Sequence, residues 1–187
     1  MNMNCLVISF SGRKNGNCDN IGRIIQEYYG ENCKFFSFSE ELIHPCGNCG
    51  YECFQKGRWC PYITDPEYGL MELICAQDLI YFIVPNYCDY PCANYFIFNE
   101  RSQCFFQKNP EKSDLFDRIP KRFLVVSNTN TENFKAVLGQ NVLTEPDILF
   151  LPARKFGKVS IRGDMMDSEN AKKAVQDFLD QWKHSTP

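Results

Sequence analysis

Cys5-Leu-Val-Ile-Ser-Phe-Ser11-Gly-Arg-Lys-Asn-Gly-Asn17-Cys-Asp-Asn-Ile21 is the stretch on which the reading of this chain turns. A short β-rich apolar run, Cys5 to Phe10, gives way to small and polar residues. Ile21, Ile24, Ile25 and Tyr28 then recur at helical spacing, and Gly30 closes the segment. A polar turn that feeds a helix places free backbone N–H groups and the positive end of the peptide dipoles at one spot, which suits an anion such as a phosphate monoester. Ser11, Asn15, Asn17, Cys18 and Asn20 bring donors to that turn, Gly16 allows close approach or positive φ, and Arg13 can grip two phosphate oxygens at once. The same residues also suit a capped strand–helix turn with no ligand.

Outward from this stretch, strand-like and helix-like segments alternate. Lys34 to Phe38, Leu79 to Val84, Arg122 to Val126 and Asp147 to Leu151 read as further strands. The run from Leu79 is apolar on both faces, as a parallel strand covered by helices must be. Asp65 can cap a helix carrying Leu70, Leu73 and Ile74. A helix is expected from Pro91, in its first turn, to about Gln107, with a short one at Phe134 to Leu138. A closing amphipathic helix from Ala171 to Trp182 has Ala174, Val175, Phe178, Leu179 and Trp182 on one face. Lys158 to Arg162 reads as an extra β segment. Asp164, Asp167 and Glu169 read as the polar start of the last helix. Five strands with intervening helices imply an α/β, doubly wound parallel sheet in one domain over 1–187, whose ligands sit beyond the carboxyl ends of the strands. Ser127-Asn128-Thr129-Asn130-Thr131 follows the fourth strand. Its small polar residues can bond a ligand edge, or Asn130 or Thr131 can cap the next helix.

Composition narrows the function classes. The chain has 187 residues, 44% of them apolar and 23% charged, with a net charge of -3. It lacks the basic runs of a nucleic-acid surface and any apolar stretch long enough to span a membrane. The apolar run at Cys5 lacks the basic lead-in and cleavage site of an export signal, so a cytoplasmic protein is expected. Eleven cysteines stand out. An odd count without an export signal favours reduced thiols, metal ligands or both over a disulfide framework. Cys5, Cys33 and Cys75 fall in core-like segments. His44 reads as a loop residue and His184 as part of a solvated tail.

Phe10-Ser-Gly-Arg-Lys-Asn-Gly-Asn-Cys18 resembles the phosphate loop of the NADPH-dependent FMN reductases and related iron–sulfur flavoproteins, written G-S-P-R-x-x-G-N-T. Ser11, Arg13, Gly16 and Asn17 match, whereas Phe10, Gly12 and Cys18 depart. Cys18 stands where that family has a threonine donating to the phosphate. Pro85-Asn-Tyr87, Cys92-Ala93, Phe98 and Arg101 resemble the same family's P-V-Y-x4-S-A-x-L-K-x-F-x-D-R without a gap, with Cys92 and Tyr95-Phe96 as departures. The resemblance implies a flavodoxin-like fold holding FMN. Ser11, Arg13, Asn15, Gly16, Asn17 and Cys18 would lie at the phosphate. Pro85, Asn86, Tyr87, Cys88 and Asp89 would lie against the isoalloxazine, and Asn128 and Thr129 at its pyrimidine edge. It further implies hydride from NAD(P)H, passed on to a quinone, a flavin or another small-molecule or protein acceptor, and a homodimer or homotetramer with the flavin at a subunit interface. Tyr95, inside an expected helix, reads as a packing residue. Cys88, Cys92 and Cys104 are expected near the flavin pocket or the dimer surface.

Cys46-x2-Cys49-x3-Cys53-x6-Cys60 forms a cysteine-rich insertion. Four thiolates so close in sequence can hold a [4Fe–4S] cluster or a tetrahedral zinc, or pack as structural thiols. The iron–sulfur flavoproteins carry C-x2-C-x2-C-x4-7-C at this place, one residue shorter between the second and third cysteines. With a cluster the chain would be an electron carrier. With zinc and no flavin it would be a non-enzymatic module.

Overall fold

The computed structural model describes residues 3–47, 49–128, 132–138 and 147–183. Thr129, Asn130, Thr131 and His184 lie outside them. In chain order the elements are β1 (Cys5–Ser9), α1 (Asn17–Tyr29), β2 (Cys33–Ser37), α2 (Pro66–Ile74), β3 (Leu79–Tyr87), β4 (Tyr90–Pro91), α3 (Ala93–Lys108), α4 (Pro110–Arg118), β5 (Lys121–Ser127), α5 (Glu132–Val137), β6 (Ile148–Pro152) and α6 (Glu169–Lys183). Five parallel strands run in the order β2-β1-β3-β5-β6, with the two-residue β4 paired antiparallel to the end of β3. This is the flavodoxin-like doubly wound sheet. The strand order reverses between β1 and β3, and a crevice opens there at the carboxyl ends.

Alternate residues of each strand feed two cores, because strand side chains point to opposite faces. Val7, Tyr81, Ile83 and Leu124 meet α1 and α6 on one face. Leu6, Ile8, Phe82, Val84 and Val125 meet α2 and α3 on the other. Tyr95 belongs to the second core, with its ring edge-on to Phe10 at 5.3 Å. Cys5 and Cys33, paired in register across β1 and β2, are buried, while Cys75 is half-buried against the second core. Asp65 caps α2 as expected, accepting from the Glu67 N–H at 3.1 Å. Among the described residues no helix is long and apolar enough to cross a membrane.

Two expectations are corrected. Pro91 does not open α3. Cys88 and Asp89 adopt positive φ (51° and 69°) and fold Tyr87 back onto Tyr90, so Pro91 sits in β4 and the helix begins at Ala93. Two left-handed residues in a two-residue hairpin loop match the right-handed strand twist, although neither is the glycine or asparagine that would announce it. Ser160–Arg162 is a 3-10 turn rather than a β segment, and the Ser160 and Ile161 carbonyls accept from Asn17 and Arg13 rather than from a strand.

Arg122, on β5, is the largest fully buried side chain. Its Nη1 donates to the Phe178 carbonyl at 2.7 Å, and its guanidinium carbon lies 3.6 Å from the Phe178 ring centroid. It thereby ties the sheet to α6 through a charge that is both bonded and stacked. Arg122→Ala leaves a void and an orphaned carbonyl. It is expected to lower unfolding free energy by about 3 kcal/mol or more, measured by urea denaturation.

Candidate functional site

The crevice at the β1/β3 reversal is a cavity of about 270 Å³, near the lower end of small-ligand sites. Ser11, Arg13, Asn17 and Cys18 come from the turn before α1, and Pro85, Asn86, Tyr87 and Cys88 from the end of β3. Asn128 and the unforeseen Ser160 and Ile161 complete the wall. The structure thus brings together both expected halves of the site. Thr129 lies outside the described residues, and Asp89 does not line the cavity.

Within the turn the roles divide. Helix geometry leaves the N–H groups of Asn17 and Cys18 without an intrahelical acceptor. The Ser11 Oγ accepts from the Arg13 N–H at 3.1 Å, which leaves its own proton free to be donated. Asn15, with φ of 55°, is occupied elsewhere: its N–H donates to Asp19 Oδ2 at 2.9 Å, and its Oδ1 accepts from Arg23 Nη2 at 2.6 Å. Gly16 is required for close approach rather than positive φ, because a Cβ there would stand 3.3 Å from both the Arg13 Cβ and the Arg13 carbonyl oxygen. Behind the turn the buried carboxylate of Asp19 accepts from Ser9 Oγ at 2.7 Å, Ser37 Oγ at 2.9 Å and Ser39 Oγ at 3.1 Å. One side chain therefore fixes the ends of β1 and β2 and the curvature of the turn.

A strap from 158 to 165 crosses the turn. The carboxamide of Asn17 holds it: Nδ2 donates to the Ser160 carbonyl and Oδ1 accepts from the Met165 N–H, both at 2.9 Å. Asn20 Nδ2 donates to the Gly163 carbonyl at 3.0 Å, and Asn128 Nδ2 donates to Ser160 Oγ. Gly163, at φ of 75°, has the Asn15 carbonyl and Gly16 Cα 3.5 Å from where a Cβ would stand. Arg13 Nη1 donates to the Ile161 carbonyl at 3.1 Å, which aims the exposed guanidinium along the cavity wall. Asn128 Oδ1 is buried with no hydrogen-bond partner among the described residues. It is an acceptor waiting for a donor at the cavity. Asp164, expected at the start of the last helix, instead ends the strap, where Lys158 pairs with it at 3.5 Å and with Asp167 at 3.9 Å.

Burial pushes the thiol of Cys18, in the cavity wall, well above its ordinary value and that of Cys92, at the start of α3, up to about 11, so both are largely protonated at neutral pH; Cys88, the other thiol of the wall, is exposed. Cys92 donates to the Phe10 carbonyl at 3.3 Å. Cys18 acts as a small apolar wall.

The four cysteines of the insertion differ in exposure. Cys53 is buried, Cys49 and Cys60 are half-buried and Cys46 is exposed. Among the described residues no group of three or more His, Cys, Asp or Glu is arranged to hold a metal ion. The two ends of the insertion are instead pinned by the buried Arg101. It donates to the His44 carbonyl at 2.7 Å and the Tyr62 carbonyl at 3.2 Å, and holds both Asp65 oxygens at 2.6 and 3.2 Å. Burial would raise the Asp65 carboxyl, but Arg101 and two backbone N–H donors hold it below its ordinary value. Cys104, expected near the cavity or a dimer surface, faces the insertion.

No family profile matches the sequence, and no curated protein matches it. Solved structures do. Trp repressor binding protein from Bacillus subtilis aligns over 94% of this chain and 97% of its own at 13% identity, with a TM-score of 0.61. FerB from Paracoccus denitrificans, described as a flavoenzyme NAD(P)H:(acceptor) oxidoreductase, aligns over 95% and 96% at 14% identity, with a TM-score of 0.54. A flavone reductase aligns over 97% of this chain at 16% identity with a TM-score of 0.55, and this chain spans 63% of it.

Two outcomes test this construction. In Asp19→Asn an amide nitrogen faces hydroxyl and N–H donors, so urea denaturation is expected to show a loss of about 2 kcal/mol. Glu67, next to Asp65, is buried with neither carboxylate oxygen partnered among the described residues, and burial pushes its carboxyl up to about 8. The folded protein therefore holds a proton that the unfolded chain releases, and stability falls as pH rises from about 4.5 to about 8. Glu67→Gln is expected to raise the urea midpoint at pH 8, to leave it nearly unchanged below pH 4.5, and to flatten the profile between.

At these identities the likeness is one of architecture, and it agrees with the strand order: the chain has a flavodoxin-like fold with its candidate site at the β1/β3 switch point.

Proposed function

We propose that residues 1–187 form a single FMN-binding domain of a cytoplasmic, NAD(P)H-dependent oxidoreductase, which passes reducing equivalents to a quinone, a flavin or another acceptor. The observation that carries this reading is the joining of an anion-binding helix turn and the Pro85–Cys88 wall in one cavity at the switch point. Bound FMN supplies the hydride and electron chemistry. The protein's part is to bind, orient and exclude water.

Ser11 Oγ, the N–H groups of Asn17 and Cys18, and Arg13 suit a phosphate monoester. Asn17 contributes its backbone N–H, while its side chain holds the strap. The unpartnered Asn128 Oδ1 suits a ring N–H donor. Pro85 to Cys88 supply a flat, partly apolar wall for an aromatic ring, with Tyr87 exposed at the mouth. Tyr87, Tyr90 and Phe96 are exposed on the same hairpin and helix start, which suits a homodimer or homotetramer covering the site. FerB, a flavoenzyme NAD(P)H:(acceptor) oxidoreductase, is of the same kind. The electron-carrier and zinc-module readings both need the four insertion cysteines to share a metal, and no such grouping is present among the described residues.

Purified protein mixed with FMN and freed of excess flavin is expected to retain flavin absorbance and to oxidise NADH or NADPH in the presence of a quinone. Failure to retain flavin overturns the reading. Arg13→Ala removes a charge-assisted phosphate contact and is expected to weaken FMN binding by about 10- to 100-fold, read by fluorescence titration.

A further inference from the structure

Away from the cavity, three cysteines from three parts of the chain meet. Cys53 lies in the 3-10 turn Glu52–Phe54, Cys60 in the loop after it, and Cys104 on α3. The Cys53 and Cys60 thiols are close enough to Cys104 to raise its thiol. Cys60 and Cys104 are half-buried and line one narrow cleft with Trp59, Tyr68, Arg101 and the unpartnered carboxyl of Glu67. The cleft has about 10 Å³ of free volume, room for roughly one water. Cys104 lies twelve positions beyond Cys92, which caps the start of α3, roughly 18 Å along the helix, and none of the three cysteines lines the cavity.

We propose that Cys60 and Cys104 form a thiol–disulfide exchange site for small external disulfides, independent of the flavin site. Cys60 Sγ attacks the disulfide R–S–S–R; the S–S bond breaks, a mixed disulfide forms on Cys60, and the leaving RS⁻ takes up the Cys60 proton. Cys104 Sγ then attacks Cys60 Sγ, expels the second RS⁻, and its proton goes to that thiolate through the cleft. Two protein thiols are oxidised and one external disulfide is reduced to two thiols. Cys60 is the entry point because it sits on a loop at the cleft, whereas Cys53 is buried. Burial and the neighbouring thiols raise the Cys104 thiol; its thiolate is scarce at neutral pH, so ring closure is the slow step and quickens as pH rises, and the same shift makes Cys104 a poor leaving group once the disulfide has closed. The product staples the insertion to α3, next to the Arg101 clamp that already holds its two ends.

The test treats the folded full chain with cystamine, digests it without reductant and maps the cysteine peptides by mass spectrometry. The expected result is a Cys60 peptide joined to a Cys104 peptide, lighter by two hydrogens than their sum. In Cys104→Ser, Cys60 is expected to keep a cysteamine cap. Recovery of Cys60 and Cys104 in the unsubstituted chain as free thiols, as separately capped thiols, or with Cys104 joined only to Cys53 overturns the proposal.

Discussion

The buried carboxylate of Asp19 is the constraint on which the rest of the site depends. A charge removed from water is tolerated only when its oxygens are fully bonded, and here three hydroxyls and one backbone N–H satisfy it. Each donor comes from a piece that must be placed: Ser9 at the end of β1, Ser37 at the end of β2, Ser39 beyond it, and Asn15 in the turn. The negative charge also lies in the first turn of α1, where the helix dipole favours it. The turn is therefore shaped before any ligand arrives, and the N–H groups that face the cavity are held at fixed positions.

A second buried charge organises the other side. Arg101 gathers the His44 and Tyr62 carbonyls and the Asp65 cap, so the segment between them is closed at its base like a purse. Inserted chain can vary in such a place because its ends, not its middle, meet the fold. The arginine matches the P-V-Y…R resemblance in position, yet its contacts are to the insertion and to α2 rather than to the cavity.

Much of the sheet is legible from the amino acids. The parallel strands read as continuous apolar runs because helices cover both faces, and α1 announces itself through Ile21, Ile24, Ile25 and Tyr28. The reading is weaker where the decisive partner is far away in sequence. Asn17 looks like a ligand residue, but its carboxamide also bonds Ser160 and Met165, and no local pattern reveals partners more than 140 residues on. The Cys88–Asp89 turn lacks the glycine or asparagine that would betray it. Helix α4 carries only Leu115 and Phe116 as large apolar residues, too few for a stripe. Ser9 and Ser37, opposite each other in the β1–β2 register, are the signal by which Asp19 could have been found: small hydroxyls ending two neighbouring strands beside an early-helix acid.

The strap has a consequence for the order of events in folding. The turn that begins at Ser11 is synthesised well before the strap, yet Asn17 and Arg13 reach their final contacts only with Ser160, Ile161 and Met165. Contacts of such long sequence separation bear a loop-closure entropy and form late. The sheet can assemble around an unfinished crevice, which matures only once the last seventh of the polypeptide has docked. Whatever the crevice holds is thus a reporter of a docked strap, and without the strap the crevice would be left open on that side.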